Sequence, residues 1–202
     1  MKLEKIGIFG GTFSPPHVGH ASALKSFLEQ EEPDEMLVIP TGTPPHKPLR
    51  GDVTAEQRFA MCRLAFSTPG VTVSDLEIRR GGKSYTVDTL KSLTAEDRRL
   101  ILLCGTDMFL SLDTWYSAET IFRLAEIVYV RREKDAEVQK QLLAKEKEYR
   151  LRFAAIVRPL ATKVVDISSS EVRECLAKGK DASPLLHPDV KRYIEACKLY
   201  RN

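Results

Sequence analysis

Long apolar runs are missing from this sequence. Stretches such as IFGGTF at 8–13 and LILLC at 100–104 fall far short of the ~20 residues that a membrane-spanning helix needs, so no membrane association is expected. A strong charge of one sign is missing too. Lys and Arg total 31 against 28 Asp and Glu, and a net charge of +3 is too small to predict a nucleic-acid-binding surface, so any basic site must be local. The four cysteines, Cys62, Cys104, Cys175 and Cys197, stand 42, 71 and 22 residues apart, which leaves no C-x-x-C pair and excludes the spacings of zinc and redox motifs. Cys62 and Cys104 lie in apolar runs, where a free thiol behaves as a small hydrophobe, and a reducing, cytoplasmic compartment is the expectation. Met1-Lys2-Leu3-Glu4 leads into a short strand-like run instead of an apolar stretch ending at small residues, so no signal peptide is expected.

What is present is an alternation. The chain has 202 residues, 43% of them hydrophobic, enough to bury a sizeable core. Short β-rich runs alternate with longer segments of helical spacing, which predicts an α/β protein with a parallel sheet covered by helices. Strands are expected at 5–9, 35–40, 71–74, 99–104, 126–130 and 163–167, and helices at about 18–30, 54–67, 87–93, 118–124, 135–152, 168–178 and 188–200. Thr54 with Gln57 and Ser168 with Glu171 are capping-box pairs, and Pro188 suits a first helical turn. No repeat or low-complexity linker divides these elements, so residues 1–202 read as one domain whose part from about 168 onward is a small helical extension.

The most informative stretch runs from Gly10 to His20, GGTFSPPHVGH, directly between the first strand and the first helix. In open α/β sheets ligands sit outside the carboxyl ends of strands, where a Gly-rich turn lets backbone N–H groups and a helix N-terminus reach phosphate oxygens. The spacing fits neither G-x-G-x-x-G nor G-x-x-x-x-G-K-[ST], so neither a dinucleotide fingerprint nor a Walker-type cradle is supported. His17 and His20, three apart at a helix start, share one face above the sheet, and Gly19 keeps the approach between them open. Zinc competes for such a pair, but H-x-x-H lacks the spacing and adjacent Glu of the metalloprotease pattern, and no Cys is near.

GGTFSPPHVGH resembles the G-x-F-D-P-x-H-x-G-H signature of the nucleotidylyltransferase superfamily. Further segments resemble the bacterial nicotinate mononucleotide adenylyltransferases, in order and over nearly the whole chain. They are PPHK at 44–47, SYTVDTL at 84–90, GTD at 105–107 followed by Trp115, and ISSSEVR at 167–173. The resemblance implies a Rossmann-like, doubly wound parallel sheet with helices on both faces and a small helical C-terminal extension. It implies adenylyl transfer from ATP to nicotinate mononucleotide, giving nicotinate adenine dinucleotide and pyrophosphate in NAD biosynthesis. The implied catalytic residues are His17, His20 and Arg173, acting on ATP phosphates. Gly10, Gly11, Thr12, Phe13, Gly105, Asp107, Ser168 and Ser169 complete the implied ATP site, with Asp107 toward a ribose. The implied nicotinate mononucleotide site comprises His46, Lys47, Tyr85, Thr86, Trp115 and Tyr116. There Trp115 stacks on the pyridine ring, and backbone amides at Thr86 and Tyr116 hold its carboxylate, which favours the acid over the amide mononucleotide. Mg²⁺ is the implied cofactor, carried on the ATP phosphates, so no permanent metal ligand is expected.

Ser14 stands where the signature has Asp, and Pro16 replaces a commoner apolar residue before His17. No role of the family's Asp passes to Ser14, and the two prolines are expected to stiffen the loop. A phosphate monoester has a second pKa near ~6, so the attacking group is already ionised at neutral pH. No general base is needed, and direct in-line attack without a covalent enzyme intermediate is expected. Three other readings compete. A pantetheine-phosphate adenylyltransferase or a cytidylyltransferase would keep the histidines but needs different acceptor loops, which PPHK and SYT disfavour. A nucleotide-sensing module could retain the cleft without turnover, but both histidines and Arg173 are kept. Class I aminoacyl-tRNA synthetases share an H-x-G-H-like element, but this chain is short and has no KMSKS segment. A monomer and a homo-oligomer are equally compatible with the sequence, and it assigns no role to Arg131 or Arg132.

Overall fold

The computed structural model describes residues 3–45, 53–131, 136–161, 165 and 167–201. Six strands, β1 (Glu4–Gly11), β2 (Glu35–Pro40), β3 (Val71–Val73), β4 (Arg98–Cys104), β5 (Ala125–Val130) and β6 (Val157–Leu160), form one sheet in the order β3-β2-β1-β4-β5-β6. Every neighbouring pair is parallel. The strand order reverses between β1 and β4, the place where a doubly wound sheet opens a crevice at its carboxyl ends. The helices are α1 (Val18–Glu31), α2 (Ala55–Ala65), α3 (Leu76–Arg80), α4 (Thr86–Leu93), α5 (Thr106–Leu110), α6 (Ala118–Leu124), α7 (Ala136–Phe153), α8 (Ser169–Ala177) and α9 (Pro188–Ala196). No helix among the described residues is long and apolar enough to cross a membrane.

β1 and β4 are nearly continuous apolar runs because helices cover both of their faces. On one face Ile6, Ile8, Leu100 and Leu102 pack with Val87 and Leu90 of α4 and Ile121 and Phe122 of α6. On the other, Phe9, Ile101 and Leu103 meet Leu24 and Phe27 of α1 and Cys62 of α2. Gly7 makes that second face possible, since a Cβ there would stand 2.5 Å from Met36 Sδ and 2.8 Å from the Phe27 ring. A third cluster joins Val172 of α8 and Val190 and Ile194 of α9 to Val53 and to Met61 of α2. The C-terminal helices are thereby fixed beside the loop that follows β1.

The sixth strand departs from expectation. It is Val157–Leu160, upstream of 163–167, where the described residues Val165 and Ile167 belong to no strand. Pro159 explains the difference. A proline reads as a strand breaker, but β6 is an edge strand paired to β5 alone, with Pro159 opposite Tyr129, and an edge tolerates the missing N–H. α3 and α5, five residues each, are too short to leave a helical period in the sequence.

Candidate active site

β1 delivers Gly10 and Gly11 to the carboxyl edge of the sheet, and six residues later the chain enters α1 with His17 as its N-cap. Phe13, at φ 48°, turns its ring beneath the loop. That ring meets Phe9, Phe66 and His20 edge-on, at centroid distances of 5.3, 5.5 and 5.0 Å, and so builds an apolar floor under the second histidine. The imidazoles of His17 and His20 lie 3.7 Å apart, centroid to centroid. The His17 backbone N–H donates to His20 Nδ1 at 3.2 Å, which places the proton of a neutral His20 on Nε2. His17 is only 7% exposed, and its Nδ1 has no partner among the described residues. Burial lowers the His17 pKa from 6.5 to about 4, against the opposing pull of Glu171. Burial, with His17 beside it, also holds His20 well below 6.5. Both rings are therefore neutral at pH 7. Gly19 keeps this approach close, because a Cβ would stand 3.0 Å from the Val165 carbonyl oxygen and 3.1 Å from the His17 ring.

Two clefts meet at the end of β1. One, of about 300 Å³, is lined by the histidine pair, Phe13, Gly105 and the α8 start at Ser168 and Ser169. The other, of about 510 Å³, lies between the Thr41–Pro45 loop and the segments carrying Tyr85, Thr86, Trp115 and Tyr116. Gly10, Gly11, Thr12, Asp107 and Met108 line both, so they form a shared wall. A Cβ at Gly10 would meet no protein atom within 4 Å, so the wall is open at that residue. Thr86 opens α4 with Tyr85 as its N-cap, which leaves first-turn amides facing outward from the helix start. The Tyr85 and Tyr116 rings stand 4.8 Å apart, and Tyr116 is 59% exposed. Trp115 packs half-buried against the core edge while lining the cleft.

α8 clamps the Gly-rich loop from above. Arg173 donates from Nη1 to the Ser14 carbonyl at 2.7 Å and from Nη2 to Ser170 Oγ at 2.9 Å, and Ser169 Oγ donates to the Pro15 carbonyl at 3.0 Å. Arg173 is not among the residues lining either cleft; its guanidinium is engaged by the Ser14 carbonyl and Ser170 Oγ. The hydroxyl of Ser14, at the position that departs from the signature, lies 3.0 Å from Tyr200 Oη. His46, Lys47 and Arg132 lie outside the described residues. Arg131 donates to Gln139 Oε1 at 3.3 Å.

Two charged groups at the site went unnamed in the sequence reading. Arg58 of α2 is fully buried and donates to the carbonyls of Thr12 and Gly42. Its signal was visible, for position 58 shares a helical face with the apolar Met61 and Cys62. Glu77 of α3 lines the larger cleft and accepts from Thr89 Oγ1 at 2.7 Å, and burial pushes its carboxyl above the usual carboxylate range. Nothing local marks Glu77, because its helix is too short to show a face.

Residues 8–175 match the cytidylyltransferase-like family. A protein of Geotalea uraniireducens named a probable nicotinate-nucleotide adenylyltransferase is 34% identical over 213 residues, covering 98% of this chain and 99% of that one. A protein of the same name from Citrifermentans bemidjiense is 36% identical over 211 residues, covering 97% and 98%. Among solved structures, the Plasmodium falciparum nicotinic acid mononucleotide adenylyltransferase complexed with NaAD shares the fold at a TM-score of 0.76 and 20% identity, over 98% of this chain and 97% of that one.

Proposed function

The chain belongs to the nicotinate-nucleotide adenylyltransferases of the cytidylyltransferase-like family, and we propose that it joins the phosphate of nicotinate mononucleotide to the α-phosphorus of ATP. The products are nicotinate adenine dinucleotide and pyrophosphate. One observation carries this reading: two clefts share a wall at Gly10, Gly11, Thr12, Asp107 and Met108, and a pair of neutral imidazoles lines the smaller of them.

ATP occupies the smaller cleft with its phosphates over His17 and His20, and the acceptor occupies the larger one. His20, with its proton on Nε2, donates to a phosphate oxygen, while the Phe13 floor and the His17 N–H keep its ring from turning. The α8 start lies on the same wall and adds its first amides and the hydroxyls of Ser168 and Ser169. Arg173 reaches the β and γ phosphates by exchanging its hold on the Ser14 carbonyl for the substrate. The acceptor phosphate arrives ionised, so no group needs to remove a proton, and neutral imidazoles suit a site that only donates. As the α-phosphorus to pyrophosphate bond breaks, negative charge grows on the leaving oxygens, and fixed donors aimed there stabilise the transition state more than the ground state. Mg²⁺ enters on the ATP phosphates as part of that substrate and neutralises charge between them.

In the larger cleft Trp115 stacks on the pyridine ring, and the α4 start at Thr86 takes its carboxylate. Amides at a helix start favour an anion over a neutral amide. The test supplies purified protein with ATP, Mg²⁺ and either the acid or the amide mononucleotide, and follows dinucleotide and pyrophosphate by chromatography. Both products are expected, with the acid turned over more efficiently. No dinucleotide from either acceptor overturns the reading, and equal or better use of the amide overturns the assigned preference.

A further inference from the structure

We propose that Arg58 is a positioning residue that holds the two substrate clefts in register. The inference rests on the reaction just assigned. Its basis is the way β1 and β2 part company. Their pairing extends to Thr41 N–H, which donates to the Gly11 carbonyl at 2.9 Å. One residue further on, the loop that lines both clefts and the loop that leads to Pro44 and Pro45 in the larger one diverge. The carbonyls of Thr12 and Gly42 stand at that fork, and the Arg58 guanidinium takes both, Nη1 to Thr12 at 2.8 Å and Nη2 to Gly42 at 2.9 Å.

Core filling is a poor explanation for this side chain. Arg58 is 0% exposed, forms no ion pair among the described residues, and its Nε has no partner among them. A buried cation without a counter-ion is costly to desolvate, and filling the space alone needs no charge. What the guanidinium supplies is geometry, since its planar fork fixes two acceptors at once where a lysine offers one point charge on a flexible stem. Gly42 is braced from its other sides as well. Its N–H donates to Ser84 Oγ at 3.0 Å, and a Cβ there would stand 2.7 Å from the Glu77 carbonyl oxygen. Arg58 thus ties the adenylyl side of the centre to the acceptor side through one guanidinium, and it sets how far apart the two reacting atoms sit.

Misplacing reactants by about 1 Å costs on the order of 100-fold in rate. Arg58→Lys keeps the charge and loses the fork, while Arg58→Met keeps neither. With ATP, Mg²⁺ and nicotinate mononucleotide, Arg58→Lys is expected to lose at least about tenfold in kcat, with KM for each substrate within about threefold of wild type. Arg58→Met is expected to lose about 100-fold in kcat. Circular dichroism and thermal unfolding establish the folded fraction at the assay temperature, and Arg58→Lys alone decides if Arg58→Met does not fold. Three results overturn the proposal: wild-type kcat in Arg58→Lys, a rise in KM with kcat kept, or a kcat loss that matches the unfolded fraction. A wild-type protein that makes no dinucleotide overturns the reaction itself, a result distinct from these.

Discussion

Single side chains carry the chemistry through what burial does to them. His17 titrates near 4 when folded and near 6.5 when unfolded, so between those values the unfolded state binds more protons. The stability it contributes is complete above pH 6.5 and is lost as pH falls toward 4, on the order of 3 kcal/mol in all. Thermal unfolding from pH 7 to pH 5 should therefore show a fall in Tm that is shallower in His17→Asn than in wild type. At neutral pH burial keeps His20 uncharged, and the His17 N–H on its Nδ1 leaves Nε2 as the donor. His20→Ala should lower kcat about 100-fold, a loss of ~3 kcal/mol of transition-state stabilisation, measured in the dinucleotide assay with folded protein. The histidine pair was legible because its spacing and its place after a Gly-rich strand end are local. The partner of Ser14 was not. Its hydroxyl meets Tyr200, 186 positions away, and no local pattern encodes a contact of that separation.

Secondary-structure elements were legible where their signals are local and long. Both capping boxes form as expected. Thr54 Oγ1 accepts from the Gln57 N–H at 3.2 Å, and Ser168 Oγ accepts from the Glu171 N–H at 3.2 Å. Ser168→Ala should destabilise the protein by about 1 kcal/mol, seen as a lower denaturant midpoint. It should also weaken ATP use, because the α8 start holds the loop through Ser169 and Arg173. β6 escaped because tertiary placement at the edge overrides the usual reading of Pro159, and α3 and α5 escaped because five residues cannot show a period. Gly7→Ala should cost about 1–3 kcal/mol, since the added methyl must displace Met36 or Phe27 between β1 and α1. Its kcat per folded molecule should stay near wild type, because Gly7 lines neither cleft.

For the molecule as a whole, the reversal of strand order between β1 and β4 explains why residues as far apart in sequence as Gly10, Thr86, Asp107 and Ser169 line one pair of connected clefts. The C-terminal helices share the Val53 and Met61 cluster with α2, so the part that clamps the Gly-rich loop should unfold together with the sheet. A single cooperative transition by circular dichroism and by tyrosine fluorescence is the expected outcome, and two separated transitions would show that the extension stands alone. In this mechanism the surface only gathers donors around a polyphosphate, while the acceptor's own phosphate displaces pyrophosphate directly. ATP made chiral at the α-phosphorus by one sulfur substitution tests it. Dinucleotide with inverted configuration at that phosphorus is expected, and retention, the mark of two successive displacements through an enzyme-bound adenylyl group, would rule direct transfer out.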